Sequence, residues 1–538
     1  MTDKWLTTGQ ITIPRLLHEA AEKWPDKVYL DFSGNKYTFA EVEREATRIA
    51  HGLSVIGIAP GDRVCSMLDN NPDNIFVWFA VNMLGGVIVP INTDMRGEFL
   101  RRQVEDADAT IMVVEDGYAE RVFMVEGELP CLKTLIVRGE LPRVASHRKV
   151  IGLDSVRADN TTLIHSHAKP SDLAILMYTS GTTGPSKGCM ISHNQACNFG
   201  RRVVADHKLT IEDTYWTPLP LFHVGASCAV GLSTLQVGAT AAIYPRFSAS
   251  NFWPEIERSG ANKVLMLSIM LSIIAEAPDS EESQRCYGKL EAVLGMPFPG
   301  ALQAKWKERF GVRYAMCPGY GSSEVYPIVS MPIDTENVPE GAVGRLHDDL
   351  DVRIFNDDGE ECPPGVAGEV VLRPRKPDIM FQGYWRRPDA TAEAMRNLWF
   401  HTGDMAKFDE NGFLFFVDRK KDSLRKGGEN ISSFEVEAVF LRHPNVQEVV
   451  AHAVKSELAE DELKVTIVLK PDSVLSEEEL CLWSVERLPR FAVPRYIEFR
   501  ETLPRTSTGK AQKYLLRDEG VTPRTWDRIS SSILIPKK

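Results

Sequence analysis

Apolar positions along the chain switch repeatedly between two spacings. Residues 39–53 are apolar at helical intervals, with Thr38 as N-cap and Glu41 at the third helical position, which predicts a capping box. Short apolar runs and further helical patterns then alternate: strand 63–67, helix 74–84, strand 87–89, helix 98–106 and strand 110–114. Such alternation predicts βαβ units and a largely parallel sheet. The pattern weakens over residues 116–169, where a strand or two with surface connections is expected. It resumes with strands at 173–177, 263–268 and 290–294, a helix at 301–310 and a strand at 313–316. Residues 215–226 are punctuated by prolines and lead into a helix of small residues. From 343 to 373, short strands and turns predict a β-rich subdomain. Past a charged run at 418–422 the order is helix 434–441, strand 446–454, strand 463–469, helix 477–488 and strand 496–499. That is a compact α+β domain of about 115 residues, within the usual range.

Composition narrows the class. A chain of 538 residues exceeds one ordinary core, so at least two domains are expected. A net charge of −12 argues against generic binding to nucleic acid or anionic membranes. The nine cysteines are scattered, with no C-x-x-C pair and no zinc spacing, as expected of reduced thiols in a cytoplasm. No apolar h-region opens the chain, and the longest apolar stretch, 75–91, is broken by Asn82 and Gly85-Gly86. It predicts a helix followed by a strand, not a membrane span. The C-terminal Ile-Pro-Lys-Lys is not a peroxisomal address.

One stretch carries chemistry of its own: Tyr178-Thr-Ser-Gly-Thr-Thr-Gly-Pro-Ser-Lys187-Gly188, directly after the 173–177 strand. Its glycines let backbone N–H groups turn inward as an anion nest, its hydroxyls add donors, and Lys187 supplies a point charge. The Walker A spacing is absent, so a P-loop NTPase is a poor reading. An exposed Ser/Thr/Gly turn is the bland alternative, but such a turn rarely follows a buried strand and ends in Lys-Gly.

The stretch closely resembles the phosphate loop of the adenylate-forming superfamily of acyl-CoA synthetases, peptide-synthetase adenylation domains and firefly-type luciferases. The remaining motifs follow in that family's order: Leu219-Pro-Leu-Phe-His223, Tyr320-Gly-Ser-Ser-Glu324, His401-Thr-Gly-Asp404, Val417-Asp-Arg419-Lys-Lys421-Asp422, Gly427-Gly-Glu-Asn-Ile-Ser432 and Pro504-Arg-Thr-Ser-Thr-Gly-Lys510. Gly-Gly-Glu-Asn looks most like ligases of the carnitine/crotonobetaine-CoA type.

The resemblance implies a large N-terminal α/β domain, residues 1–419, and a small mobile α+β domain, residues 420–538, hinged at Lys421. It assigns Thr179, Ser180, Gly181, Thr182, Thr183, Gly184 and Lys187 to ATP, together with Tyr320, Gly321, Ser323, Asp404 and Arg419. Glu324, with Thr179, is the implied magnesium site; a hard cation held by one carboxylate and substrate phosphates is a common arrangement. Ser323 stands where the family usually has Thr and keeps the hydroxyl. Asp404 suits a ribose diol, because a carboxylate accepts both hydrogen bonds. Lys510 is the implied catalytic cation of adenylation, placed between two anions brought together. Gly427, Gly428 and Glu429 belong to the acceptor side. His223, Val224, Met296 and Gly319 belong to the acyl pocket, while His401 is structural. An isolated Glu, His or Lys of this kind is ordinarily just solvated or packed; the ordered series is what favours the functional roles.

The implied reaction joins ATP, Mg²⁺ and a small or medium carboxylic acid into an acyl-adenylate, followed by transfer to CoA. Rotation about Lys421 would exchange Lys510 for the Gly427-Gly428 loop. An amine acceptor giving an amide is the alternative, and a luciferase-like oxygenase or a silent binding protein is a third. A monomer or homodimer is expected. The chain departs from the family at Leu294-Gly-Met-Pro-Phe-Pro299 and at Cys317-Pro-Gly319. Met296 and Phe298 either narrow the acyl pocket or are ordinary packing, which leaves the identity of the acid open.

Overall fold

The computed structural model describes residues 11–531, apart from 94, 96, 144–145, 180–186, 420–423, 427–428, 432, 456–460, 486, 489–491 and 507–509. The chain divides into two compact units, Met1–Val352 with Arg373–Trp399, and Arg353–Leu372 with Phe400–Lys538.

The first unit holds two seven-stranded sheets. Its strands are β1 (Val28–Phe32), β2 (Asn35–Thr38), β3 (Arg63–Met67), β4 (Val87–Pro90), β5 (Ile111–Glu115), β6 (Thr134–Arg138) and β7 (Lys149–Gly152). They continue with β8 (Leu173–Thr179), β9 (Lys187–Ser192), β10 (Thr214–Thr217), β11 (Thr240–Ile243), β12 (Lys263–Leu267), β13 (Ala292–Met296) and β14 (Tyr314–Met316). One sheet runs β7-β6-β5-β3-β4-β8-β9 and the other β14-β13-β12-β10-β11-β1-β2. Both are parallel except at one edge, where β9 pairs antiparallel with β8 and β2 with β1. All five residues of β5 are buried, the mark of a strand covered on both faces.

Local chemistry explains the elements that the periodicity predicted. In helix Phe39–Ile56, Thr38 Oγ1 accepts from Glu41 N–H at 3.2 Å and Thr38 N–H donates to Glu41 Oε2 at 2.9 Å. Such a cap is worth about 1 kcal/mol. Helix Pro72–Met83 starts on an Asn71 cap, and His193–Asp206 starts on a Ser192 cap. The weak stretch 116–169 contains β6 and β7 as expected, and in addition helix Asp116–Phe123. That helix has no side-chain N-cap hydrogen bond, so a cap-based reading had no start signal there. Helix Ile13–Lys23 was likewise not anticipated, although Thr12 caps it and Pro14 stands in its first turn. The helix of small residues is a π-helix, Gly225–Leu232.

In the second unit, Gly368–Pro374, Phe400–Phe408 and Phe413–Arg419 form an antiparallel ladder. Beyond it come helix Ser433–Phe440, strands Val446–Lys455 and Asp461–Leu469, helix Glu477–Val485 and strand Tyr496–Phe499. That is the α-β-β-α-β order of the sequence. A short strand, Trp526–Asp527, completes a four-stranded sheet, and helix Lys513–Glu519 was not anticipated. Residues 353–372 and 400–419 therefore pack with the C-terminal part of the chain, whereas the sequence division was drawn at 419. Compactness does not decide where the chain hinges.

Candidate active site

In the first unit, the strands on either side of the Ser/Thr/Gly stretch pair with each other. Thr179 stands opposite Lys187, Tyr178 opposite Gly188 and Met177 opposite Cys189 along β8 and β9. Thr179 Oγ1 donates to the Lys187 carbonyl at 3.4 Å. The two ends of the loop are thus fixed by one ladder, while Ser180, Gly181, Thr182, Thr183 and Gly184 lie outside the described residues. A Cβ on Gly188 would come within 2.9 Å of Leu176 Cδ1, so a larger residue beside Lys187 would displace that leucine.

Glu324 is reached through a compact turn. Gly319 and Tyr320 pair with Ser330 and Val329, and the Tyr320 carbonyl accepts from Ile328 N–H at 2.8 Å. Inside the turn, Ser322 N–H donates to the Val325 carbonyl at 2.9 Å. Gly321 is required by space, since a Cβ would lie 2.6 Å from the Tyr326 ring. The buried Ser322 hydroxyl makes no hydrogen bond among the described residues.

The backbone behind the Glu324 carboxylate is held from two sides. Gln195 Nε2 donates to the carbonyls of Ser323 at 3.3 Å and Glu324 at 3.0 Å, and Phe381 N–H donates to the Glu324 carbonyl at 2.7 Å. The Tyr384 hydroxyl donates to Glu324 Oε1 at 2.8 Å. The ring of the same tyrosine lies under Lys187, with Nζ 5.0 Å from its centroid, a cation–π distance. Burial first, and then the Glu324 charge, push the Tyr384 phenol and the Cys189 thiol upward, so both stay protonated at neutral pH. Thr179, Lys187 and Glu324, named from sequence, therefore share one corner of the first unit. Tyr384 and Gln195 were missed.

The acyl-side residues are placed less tightly. His223 is exposed; its carbonyl accepts from Ala226 N–H at 3.1 Å, Ser227 N–H at 3.1 Å and Ser227 Oγ at 2.9 Å, fixing the start of the π-helix. Val224 is half-buried just before it. Single π turns are frequent at functional sites. Met296 is half-buried at the end of β13. Phe298 is different: it is buried in the aromatic cluster of Trp216, Phe252, Trp253, Trp306 and Phe310. Of the two bulky departures, Phe298 is packing.

In the second unit, Asp404 is buried on strand Phe400–Phe408, directly opposite Arg419 in the ladder. Its N–H donates to Thr402 Oγ1 at 3.0 Å, and the Thr402 hydroxyl donates to the Val370 carbonyl at 2.9 Å. His401 Nδ1 lies 3.1 Å from Glu369 Oε2, while Glu369 Oε1 accepts from Gly403 N–H at 3.2 Å. His401 thus holds the turn that presents Asp404. Lys510 is exposed at the end of a loop closed by the Arg505–Ala511 bridge. Thr506 N–H donates to its carbonyl at 2.7 Å, and Lys510 N–H donates to Thr506 Oγ1 at 3.2 Å. Glu429 pairs with Lys426 in a short hairpin. Lys421, Gly427 and Gly428 lie outside the described residues.

Among the described residues no three His, Cys, Asp or Glu side chains gather to hold a metal. One carboxylate beside a hydroxyl and a lysine fits a magnesium ion that takes its remaining oxygens from phosphates. A carboxylate, hydroxyls and a cation gathered at one corner of the first unit suit a phosphate-bearing ligand that comes with a divalent cation.

The comparisons fix the family. The AMP-binding enzyme model matches residues 17–385, and the model for the C-terminal domain of these enzymes matches 435–510. The chain belongs to the AMP-binding enzyme family. A crotonobetaine/carnitine–CoA ligase of Salmonella arizonae is 30% identical over 89% of this chain and 93% of that protein. Among solved structures, the anthranilate CoA ligase AuaEII with anthranoyl-AMP superposes with a TM-score of 0.86 at 24% identity, over 98% of this chain and 99% of that one. The O-succinylbenzoate coenzyme A synthetase of Bacillus subtilis, with ATP and magnesium ion, gives 0.80 at 24% identity, over 94% and 99%. At that identity the two structures bear on the fold. The chain is an AMP-forming ligase of the acyl-CoA synthetase class that uses ATP and CoA. No described helix is long and apolar enough to cross a membrane.

Proposed function

We propose that the chain activates a small or medium carboxylic acid as its acyl-adenylate, with Mg²⁺, and passes the acyl group to the thiol of CoA. The observation that carries the reading is the corner in which Lys187 and Glu324 meet through Tyr384, with Thr179 paired to Lys187 across the strand ladder. Residues 180–186 and Lys187 bind the phosphates, and Glu324 with the Thr179 hydroxyl holds the magnesium ion. When bound, that ion neutralises phosphate charge. Asp404 accepts from the ribose hydroxyls, and Arg419 and Tyr320 bind the same nucleotide. Gly321 and Ser323 shape the floor beneath it.

A carboxylate attacking the α-phosphorus brings two anions together, and Lys510 stabilises the charge that develops between them. The oxygen–phosphorus bond forms as pyrophosphate leaves. In the second half-reaction the thiolate attacks the acyl carbon and AMP departs. Lys510 serves only the first step, so we place a hinge at Lys421 and assign Gly427, Gly428 and Glu429 to the acceptor side in the second. His223, Val224, Met296 and Gly319 line the acyl pocket. The relatives named as crotonobetaine/carnitine–CoA ligases make short acids bearing a quaternary ammonium the first to try.

The test is pyrophosphate release with ATP, Mg²⁺ and a panel of acids, with and without CoA, products being identified by mass. Acyl-CoA formed only when CoA is present supports the reading. Turnover that ignores CoA and yields an amide with added amine overturns it.

A further inference from the structure

We propose that Tyr384 is a positioning residue that holds the metal-binding carboxylate and the phosphate-binding lysine at one corner while keeping them from each other. The inference rests on the proposed roles of Glu324 and Lys187 and adds a residue that those roles do not include.

A single side chain engages both charges. The Tyr384 hydroxyl donates to Glu324 Oε1 at 2.8 Å, and Lys187 Nζ lies 5.0 Å from the centre of its ring. Lys187 and Glu324 form no ion pair with each other among the described residues. A neighbouring lysine and glutamate would ordinarily associate, and the pair would leave neither the carboxylate free for a metal nor the ammonium free for phosphate. A phenol resolves that conflict: its O–H is a charge-assisted donor for the carboxylate, and its face attracts the cation. With Oε1 taken by the phenol, the carboxylate's orientation is set and Oε2 is the oxygen offered to a metal.

The segment carrying Tyr384 is bound to both partners by backbone as well. Phe381 N–H donates to the Glu324 carbonyl at 2.7 Å, and Trp385 N–H donates to the Gly188 carbonyl at 2.7 Å. Tyr384 itself bridges to Cys189, two residues after Lys187. The Trp385 indole N–H donates to the Asp106 carbonyl at 3.0 Å, which anchors the far side. Residues 381–385 therefore form a strap joining the turn of Glu324 to the strand of Lys187, with the tyrosine at the junction.

The test separates metal from nucleotide. Calorimetry measures the affinity of the full-length protein for ATP with excess Mg²⁺ and for ATP in EDTA. Tyr384→Phe keeps the ring and every backbone bond and removes only the hydroxyl. It should weaken Mg²⁺–ATP binding about tenfold, the effect of losing one hydrogen bond to a charged group, and leave metal-free ATP within about twofold of wild type. Tyr384→Leu removes the ring as well and should weaken both. Glu324→Gln is the reference, expected to lose at least as much Mg²⁺–ATP affinity as Tyr384→Phe.

If Glu324→Gln lowers Mg²⁺–ATP affinity and Tyr384→Phe does not, the inference about Tyr384 is wrong and the metal assignment stands. If Glu324→Gln has no effect, the metal assignment itself fails, and the inference with it. Equal loss of both forms of ATP by Tyr384→Phe, or a clear drop in its melting temperature, would make the tyrosine a structural residue and overturn the proposal.

Discussion

The corner around Glu324 and the loop that ends in Lys510 are built in opposite ways. Glu324 is bound through its carboxylate and its carbonyl, by Tyr384, Phe381 and Gln195. Lys510 is exposed, and its loop is closed at the base by one backbone bridge and bonds to Thr506. Under the role proposed for Glu324, a carboxylate that presents one orientation to a metal gains from a surround that leaves it no other. Under the role proposed for Lys510, a cation of the first half-reaction alone, an exposed position suits the reverse requirement. The contrast is between a half-buried carboxylate held from several sides and a lysine exposed at the end of a loop.

The largest effect that would sharpen this contrast is on Lys510. Lys510→Ala should lower the rate of acyl-adenylate formation by about 10²–10³-fold, as loss of one transition-state cation does, with ATP affinity little changed in calorimetry. Glu324→Gln should cost about 10²-fold in the same step and, unlike Lys510→Ala, should raise the magnesium concentration needed for half-maximal pyrophosphate release.

Next comes packing against pocket. Phe298→Ala should destabilise the first unit by about 3–5 kcal/mol, read by denaturant unfolding, because it opens the aromatic cluster around Trp306. Met296→Ala should leave the unfolding midpoint nearly unchanged and shift the preference among acids in the pyrophosphate assay.

The smallest effect is in acid. Burial alone would raise the Glu498 carboxyl, but hydrogen bonds from Lys464, Thr525, Arg500 and Thr522 outweigh it and hold it at about 2. A depressed carboxyl contributes stability that is complete above its ordinary value of 4.5 and is lost as pH falls towards 2. Hydrogen exchange in strand Asp461–Leu469 should therefore accelerate over that window, and Glu498→Gln should flatten the dependence.

Much of the fold was legible in the chain because its elements carry their own signals. Thr38 and Glu41 announce a helix start, and the runs at 63–67 and 496–499 coincide with the observed strands. Helix Asp116–Phe123 lacks a side-chain N-cap bond and follows β5 without a break, so nothing in the chain marked its start. Thr179, Lys187 and Glu324 were singled out in the chain because they fall in motifs that resemble the family's, and the structure places Lys187 and Glu324 on either side of one tyrosine. Tyr384 was not, since its hydroxyl meets a carboxylate 60 positions earlier in the chain, and nothing local distinguishes it from a core aromatic. Gln195 donates to carbonyls 128 and 129 positions later and was invisible for the same reason.

The most direct test supplies a synthetic acyl-adenylate and CoA to the Lys510→Ala protein and follows acyl-CoA and AMP by mass. The account predicts thiolysis within a few-fold of wild type in a protein that scarcely makes the adenylate itself. Loss of both half-reactions to the same extent would contradict it, and would place Lys510 in the permanent fabric of the site.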